Sequence, residues 1–595
     1  MGDIALLSIV IVIILGIFSQ WLAWRIQWPS IVIMSVAGLL IGPILGLVNP
    51  EQALGNIYSP LISLAVAVIL FEGSSSLDVR EIKGVSKSVM RIITIGVFIS
   101  WIGGSLAAHF FAGLSIEVAF MIGGLFVVTG PTVIIPLLRQ AKLKPRVSAI
   151  LKWEGIIVDP IGPLLALFSY EIFKVISSDA LTLFDLFQFF LGGILAAIAG
   201  YIIGLVVSIM VSKGLFPEYL KSAIILSFVL LSFTIAEAIM HETGMLAVTV
   251  MGLTVARIKK HVSSIGSIGH FVENISVILT STVFILLTAS LTRETLTDIF
   301  TWPIISFVLI MLFLVRPLSI WISTIGTELT FAEKTLIGWI APRGIVALTV
   351  AGYFSSMLME EGYEEASILT ALTFALVFIT VCAHGFSLGP LAKKTGLANN
   401  DAPGILIVGA SSFSIAFSQH LKEMGTPALV SDTSSARLLK ARQNGIDIYH
   451  GEILAEHAEF DIDFTPYNKI LAMTGDASYN ALVCQSYVPE FGYNDTFALR
   501  VRSEGGVDYK HLPESLKSNL LFNEEDVFEE LNRKINTGYQ LETIQVQTKT
   551  DIKKEDMEMN GVPLCIRKKN GNVEMITLRG KFLADEGDQI VVLKK

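Results

Sequence analysis

The stretch LKWEGIIVDPIGPLLAL, residues 151–167, decides the fold. It has the length and apolar content of a membrane span, yet it holds Glu154, Asp159, Pro160 and Pro163. Carboxylates at membrane depth are costly, so they mark an ion or substrate path rather than a lipid-facing surface. The two prolines lack N–H groups, which frees the carbonyls of Ile156 and Asp159 from the helix ladder. Freed carbonyls beside a carboxylate make a hard, oxygen-rich pocket of the kind that binds Na⁺ or K⁺. Backbone of this sort survives in a bilayer only where protein buries it or water reaches it.

A second interruption answers the first. IGWIAPRGIVALTV, residues 337–350, carries Pro342, Arg343 and Gly344, and a third, Thr129-Gly130-Pro131, breaks an earlier apolar run. Breaks at matching depth in two halves of a chain point to inverted repeats with discontinuous helices around a binding site. Together they imply a secondary transporter.

Composition sets the frame. The 595 residues are 53% apolar and 16% charged, with mean hydropathy +0.66 and net charge −9. About thirteen apolar stretches of bilayer length run from residue 3 to residue 391. Basic residues collect in alternate loops: Arg80, Lys83, Lys87 and Arg91; Arg139, Lys142, Lys144 and Arg146; Arg257, Lys259 and Lys260; Lys393 and Lys394. The intervening loops hold few, chiefly Lys174 and Arg293. The positive-inside rule then puts the N-terminus outside and the tail in the cytoplasm. A retained first helix and a bacterial inner-membrane location are expected. Residues 401–595 hold 29 acidic and 21 basic side chains, which gives no footprint for nucleic acid. Three scattered cysteines suggest neither a disulfide framework nor a metal cluster.

Glu154 and Asp159 are five residues apart, about 140° around a helix, so they cannot face one partner equally. Arg343 is the expected partner of Glu154, because a buried guanidinium left unpaired would be prohibitive. Asp159 has no second cation in view. One carboxylate that carries either a proton or an alkali cation is the minimum machinery for exchange, and with a single such acid the exchange is one-for-one and electroneutral. Glu72, near the inner end of the third stretch, reads equally as a pathway ligand or an interfacial carboxylate. Glu237, His241 and Glu242 read as a solvated outer loop.

These residues resemble the monovalent cation–proton antiporters, in particular the NhaP-type sodium/proton branch. The resemblance covers residues 1–395. It rests on LLIGP at 39–43, LFEG at 70–73, TGP at 129–131, the Glu154–Asp159 run, RP at 316–317 and PRG at 342–344. It implies a homodimer of thirteen-span protomers in membrane lipid, each with a core of crossed broken helices, and Na⁺ or K⁺ and H⁺ as substrates. By the same resemblance Asp159 is the exchanging acid, Thr129 supplies a backbone oxygen, Glu72 lies in the inner funnel, and Glu154 pairs with Arg343. The chain departs from the family pattern at Val158, Gly130 and Gly155, where Asn, Asp and Ser are usual. Fewer side-chain ligands put Na⁺ preference in question and favour a shift toward K⁺.

The tail alternates strands and helices from residue 403, which implies a parallel, doubly wound sheet over 400–520. A β-rich module follows over 535–595. Asp432 follows Gly409 by 23 residues, the spacing of a ribose-binding acid. Yet Ser411 and Ser414 replace the second and third glycines of the phosphate fingerprint. The tail resembles RCK/TrkA-type regulatory domains with a Rossmann-like fold. That resemblance implies a nucleotide, NAD or an adenine nucleotide, at Gly409 and Asp432, although exchange itself requires no cofactor. The degraded glycines favour a structural or dimerising role, and NEEDVFEELNRK at 523–534 reads as a solvated linker helix. An RCK-regulated channel and a transport-inactive sensor are the alternatives. No TVGYG-like filter supports the channel, and the poor glycine motif argues against an NAD-dependent enzyme.

Overall fold

The computed structural model describes residues 2–26, 28–77, 82, 85–141, 143–177, 183–259, 266–398, 404–455, 458, 462, 464, 466–502, 519–547, 550–551, 561–578 and 583–595. Arg80, Lys83, Lys142 and Lys260, used above for orientation, lie outside these residues. The chain divides into two compact units, Met1–Ala398 and Asn399–Lys595.

The first unit is helical. Among the described residues nine helices, from Leu7–Ile26 to Glu364–Lys394, are long and apolar enough to cross a membrane. Shorter apolar helices lie between them at Ser30–Ile44, Ile116–Leu125, Gly244–Ile258 and Val346–Glu360. Large apolar side chains such as Trp21, Phe190 and Phe313 are exposed on its outside, as lipid-facing residues would be. Small residues bring helices together where no hydrophobic drive separates lipid from protein. A Cβ on Gly200, in helix Leu183–Ser212, would lie 2.1 Å from the carbonyl oxygen of Ala247 in helix Gly244–Lys259.

Eight helices build the site. α1 (Ile116–Leu125) and α2 (Pro131–Ala141) are the halves of one broken span. α3 (Pro145–Val158) and α4 (Ile161–Ser177) meet at a turn formed by Asp159 and Pro160. α5 (Arg316–Ser323) follows a π-helical turn, Met311–Val315. Pro317 cannot donate to Phe313, and the widened turn absorbs the missing bond. α6 (Phe331–Trp339) and α7 (Ile345–Glu360) are the halves of the second broken span, and α8 (Leu369–Lys394) is the last helix.

The two breaks cross backbone to backbone. The Gly130 N–H donates to the Pro342 carbonyl at 3.2 Å. A Cβ on Gly130 would lie 2.5 Å from Gly344 Cα, so only glycine allows this approach.

The tail unit centres on a six-stranded, wholly parallel sheet in the order β3-β2-β1-β4-β5-β6. Its strands are β1 (Gly404–Val408), β2 (Ala428–Asp432), β3 (Asp447–His450), β4 (Tyr467–Ala472), β5 (Thr496–Ala498) and β6 (Asn519–Leu520). β1 and β2 are buried at every position, as strands covered on both faces must be. The tail helices are α9 (Ser412–Glu423), α10 (Ser435–Gln443), α11 (Ala477–Phe491) and α12 (Phe528–Asn536). Beyond them β7 (Gln540–Gln545), β8 (Thr550–Asp551), β9 (Val562–Arg567), β10 (Val573–Met575), β11 (Leu583–Ala584) and β12 (Gln589–Lys594) form antiparallel pairs. The expectation of a solvated linker helix at 523–534 is corrected. Leu531 is fully buried, and Phe528 and Asn532 reach back onto the parallel sheet's first helix and loops.

Candidate functional site

The two carboxylates of the 151–167 stretch occupy different surroundings. Glu154, on α3, is buried and pairs with Arg316, not with Arg343 as expected from the sequence. Arg316 Nη2 donates to Glu154 Oε2 at 2.9 Å, Nη1 engages Oε1, and Nη2 also reaches the carbonyls of Ile337 at 3.0 Å and Ile340 at 2.9 Å. Those carbonyls are orphans at the end of α6, so one guanidinium neutralises an acid and caps a half-helix. The sequence does show an arginine beside a proline at membrane depth. What it does not show is that the π turn aims that arginine at α3.

Arg343 does different work. Its Nη1 donates to the carbonyl of Val127 at 3.1 Å and to that of Val128, while its backbone N–H meets Thr380 Oγ1 at 3.3 Å. Val127 and Val128 lie just past the C-terminus of α1, where unpaired carbonyls gather partial negative charge. Arg343 therefore sits across the crossing and neutralises the end of the opposite half-helix.

Asp159 is fully buried, and neither carboxylate oxygen has a hydrogen-bond partner among the described residues. A buried carboxylate cannot stay charged and unsatisfied, so it must take up a proton or a cation. Thr129 is also fully buried, with its hydroxyl unpartnered. Its carbonyl oxygen faces α3: a Cβ on Gly155 would lie 3.3 Å from it. Ile156, fully buried, packs near Gly73, where a Cβ would meet its Cγ1 at 3.6 Å. Glu72, the neighbour of Gly73, is half-buried on helix Tyr58–Ser75. Thus the structure brings the first break, the helix of Glu72 and α3 against one another. His384, on α8, packs edge-on against Trp339 with ring centroids 5.5 Å apart.

The expected solvated outer loop is also more ordered than the sequence suggests. Glu237 accepts from the backbone N–H groups of Glu242 at 2.8 Å and Gly244 at 3.1 Å. Glu242 is half-buried with φ of 65°, a left-handed conformation uncommon for a non-glycine residue. Burial, with Glu237 nearby, pushes its carboxyl up to about 7.

In the tail, Gly409 has φ of 107°, and a Cβ there would meet the Met473 carbonyl oxygen at 2.8 Å. Asp432 lies buried at the end of β2 and accepts from the N–H of Ala410 at 2.8 Å, from that of Ser434 at 2.7 Å and from Arg437 at 3.3 Å. A cleft of about 830 Å³, lined in part by Ser411, Arg437, Lys440, Asp476 and Tyr479, opens beside this loop.

Comparison with known proteins bears on the first unit. A family model for the transmembrane sodium/hydrogen exchangers matches residues 7–394. A protein named probable Na(+)/H(+) antiporter 2, from Methanocaldococcus jannaschii, is 23% identical over 404 residues, 64% of this chain and 94% of its own. The Na(+)/H(+) antiporter NhaH of Halobacillus aidingensis is 26% identical over 388 residues, 61% of this chain and 92% of its own. The solved structure of the sodium proton antiporter MjNhaP1 from M. jannaschii superposes with a TM-score of 0.58 at 22% identity. It covers 66% of this chain and 99% of its own, and so shares the fold of the helical unit. The match spans both helix breaks, Glu154, Asp159 and both arginines, and the chain is an integral, multi-pass member of the sodium/hydrogen exchanger family.

Proposed function

We propose that this protein exchanges a monovalent cation, Na⁺ or K⁺, for H⁺ at Asp159. The observation that carries the proposal is a fully buried carboxylate with no hydrogen-bond partner among the described residues, placed at a helix break in an exchanger fold. Its family consists of transporters, not enzymes. Proton and cation compete for the same oxygens, and each occupant neutralises a group that cannot remain charged alone. Freed backbone oxygens of Ile156 and Thr129 complete a hard ligand set with few side-chain donors, since Gly130, Gly155 and Val158 supply none. Glu72 serves the inner approach. Glu154 and Arg343 hold the scaffold, each with the partner described above.

Among the described residues, nine long and four shorter apolar helices support thirteen spans. The basic residues in alternate loops support an N-terminus outside and a cytoplasmic tail, in a bacterial inner membrane. The family resemblance supports a homodimer. The strand order of the tail sheet is that of a Rossmann fold, which supports a regulatory, RCK-like domain at 400–520 followed by its β-rich companion at 535–595.

Proteoliposomes with a trapped pH dye test this reading. Addition of Na⁺ or K⁺ should move protons without generating a membrane potential, and Asp159→Asn should abolish the signal while the protein still folds. Wild-type activity in Asp159→Asn would overturn the assignment. A potential generated by exchange would refute the one-for-one stoichiometry.

A further inference from the structure

The tail's likeness to dinucleotide-binding folds can be tested at its phosphate end. There, backbone N–H groups after β1 and in the first turn of the next helix face a pyrophosphate, and glycines let it come close. In this chain four of those donors are already engaged. Ala410 N–H donates to Asp432 Oδ2 at 2.8 Å, and Ser411 N–H to Ser414 Oγ at 2.7 Å. Phe413 N–H donates to Asn532 Oδ1 at 3.0 Å, and Ser414 N–H to Ser411 Oγ at 3.1 Å.

The space is filled as well. Ser414 stands where the third glycine of the fingerprint would stand. It is fully buried, and its hydroxyl donates to the Gly409 carbonyl at 2.7 Å. Asn532 comes from α12, far along the chain, and Phe528 of the same helix lies 3.2 Å from where a Cβ of Gly475 would be. Asp432, whose spacing suits a ribose hydroxyl, spends one oxygen on Ala410 and Arg437 and the other on Ser434. A pyrophosphate entering here would meet a carboxylate and serine oxygens instead of open donors. The large cleft beside the loop keeps its opening but has lost most of the donor floor a phosphate needs.

We infer that the tail fills its own phosphate cradle, so that no pyrophosphate-bearing nucleotide binds at Gly409 and Asp432. α12 is a built-in ligand that ties the segment leading to the β-rich module onto the parallel sheet. The residues present do not fit NAD or an adenine nucleotide at this loop.

Hydrogen exchange read by mass spectrometry on the full-length protein in detergent tests this. The peptide covering residues 409–415 should exchange slowly without any ligand, and millimolar NAD, NADH, ATP or ADP should leave its rate unchanged. Asn532→Ala should speed exchange at Phe413 about fivefold, the loss of one hydrogen bond. Asn532→Asp, which keeps the acceptor, should not. The strand peptide 428–432 should stay protected in both variants. Two wild-type results would overturn the inference: protection of 409–415 conferred by any of these nucleotides, or free exchange of that peptide without them.

Discussion

Arg316 Nη2 lies 2.9 Å from Glu154 Oε2, in a two-pronged, buried contact that joins α5 to α3 and, through the Ile337 and Ile340 carbonyls, to α6. Removing one partner of such a pair leaves an uncompensated buried charge, at a cost of about 3–5 kcal/mol. Arg316→Ala should therefore sharply reduce the folded, monodisperse fraction in detergent. Arg316→Met combined with Glu154→Leu removes both charges together and should recover much of the loss. Thermal unfolding followed by size-exclusion chromatography makes the comparison. If Arg316→Ala were as stable as wild type, the pair would not hold the helices together.

Arg343 should behave differently, because it pairs with carbonyls rather than with a carboxylate. Arg343→Ala leaves the Val127 and Val128 oxygens unsatisfied, at about 1–3 kcal/mol for each group. The partial charge at the end of α1 then stands uncompensated beside the crossing. Arg316→Ala orphans as many carbonyls, those of Ile337 and Ile340, and leaves the Glu154 charge unpaired besides, so Arg343→Ala should lose less stability than Arg316→Ala while losing more exchange per folded molecule. Arg343→Lys keeps the charge but not the fork, and should restore stability only in part. Equal loss of stability in Arg316→Ala and Arg343→Ala would contradict this division of labour.

The crossing of the breaks makes a steric prediction. A methyl group on Gly130 would sit 2.5 Å from Gly344 Cα, which a packed backbone cannot absorb without moving. Overpacking of this kind costs about 1–3 kcal/mol or more. Gly130→Ala should thus lower the melting temperature and suppress exchange. Gly352→Ala, at a helical glycine whose Cβ would meet nothing within 4 Å, should do neither. Full activity in Gly130→Ala would show that the two breaks lie further apart than described.

Which of these features could be read in advance follows from what each depends on. Helix breaks and buried charges are local events, so Thr129-Gly130-Pro131, Asp159-Pro160 and Pro342-Arg343-Gly344 announce themselves in apolar runs. Pairing across helices is not local. Spacing along α3 separates Glu154 from Asp159 but cannot say whether Arg316 or Arg343 reaches Glu154, because a π turn sets that rotation. In the tail, the Gly409–Asp432 spacing is visible, whereas the cap supplied by Asn532 comes from 119 residues beyond Phe413. The burial of α12 did have a local signal: Phe528, Leu531 and Ile535 fall on one helical face beneath a run of charges.

The loop between helices Glu218–Ile239 and Gly244–Lys259 yields a prediction about pH. Glu242 is held at φ of 65° beside Glu237, which caps the loop, and its carboxyl is raised from 4.5 to about 7. The groups around it are Glu237, His241, whose Nδ1 lies 3.5 Å from Glu237 Oε1, and Tyr353. Because the folded state binds this proton more tightly than the unfolded chain, folded stability falls as pH rises. The fall begins near the unfolded value of 4.5 and is complete above about 7, where the folded protein must carry a half-buried charge against Glu237. Glu242→Gln keeps the shape, the left-handed backbone and the Glu237 cap, but never ionises. Its melting temperature should match wild type below about pH 4.5, exceed it progressively between about 4.5 and 7, and hold a constant advantage above that window. Melting curves of both proteins across the window decide the matter. A difference that did not change with pH would mean that Glu242 stays ionised in the folded protein throughout.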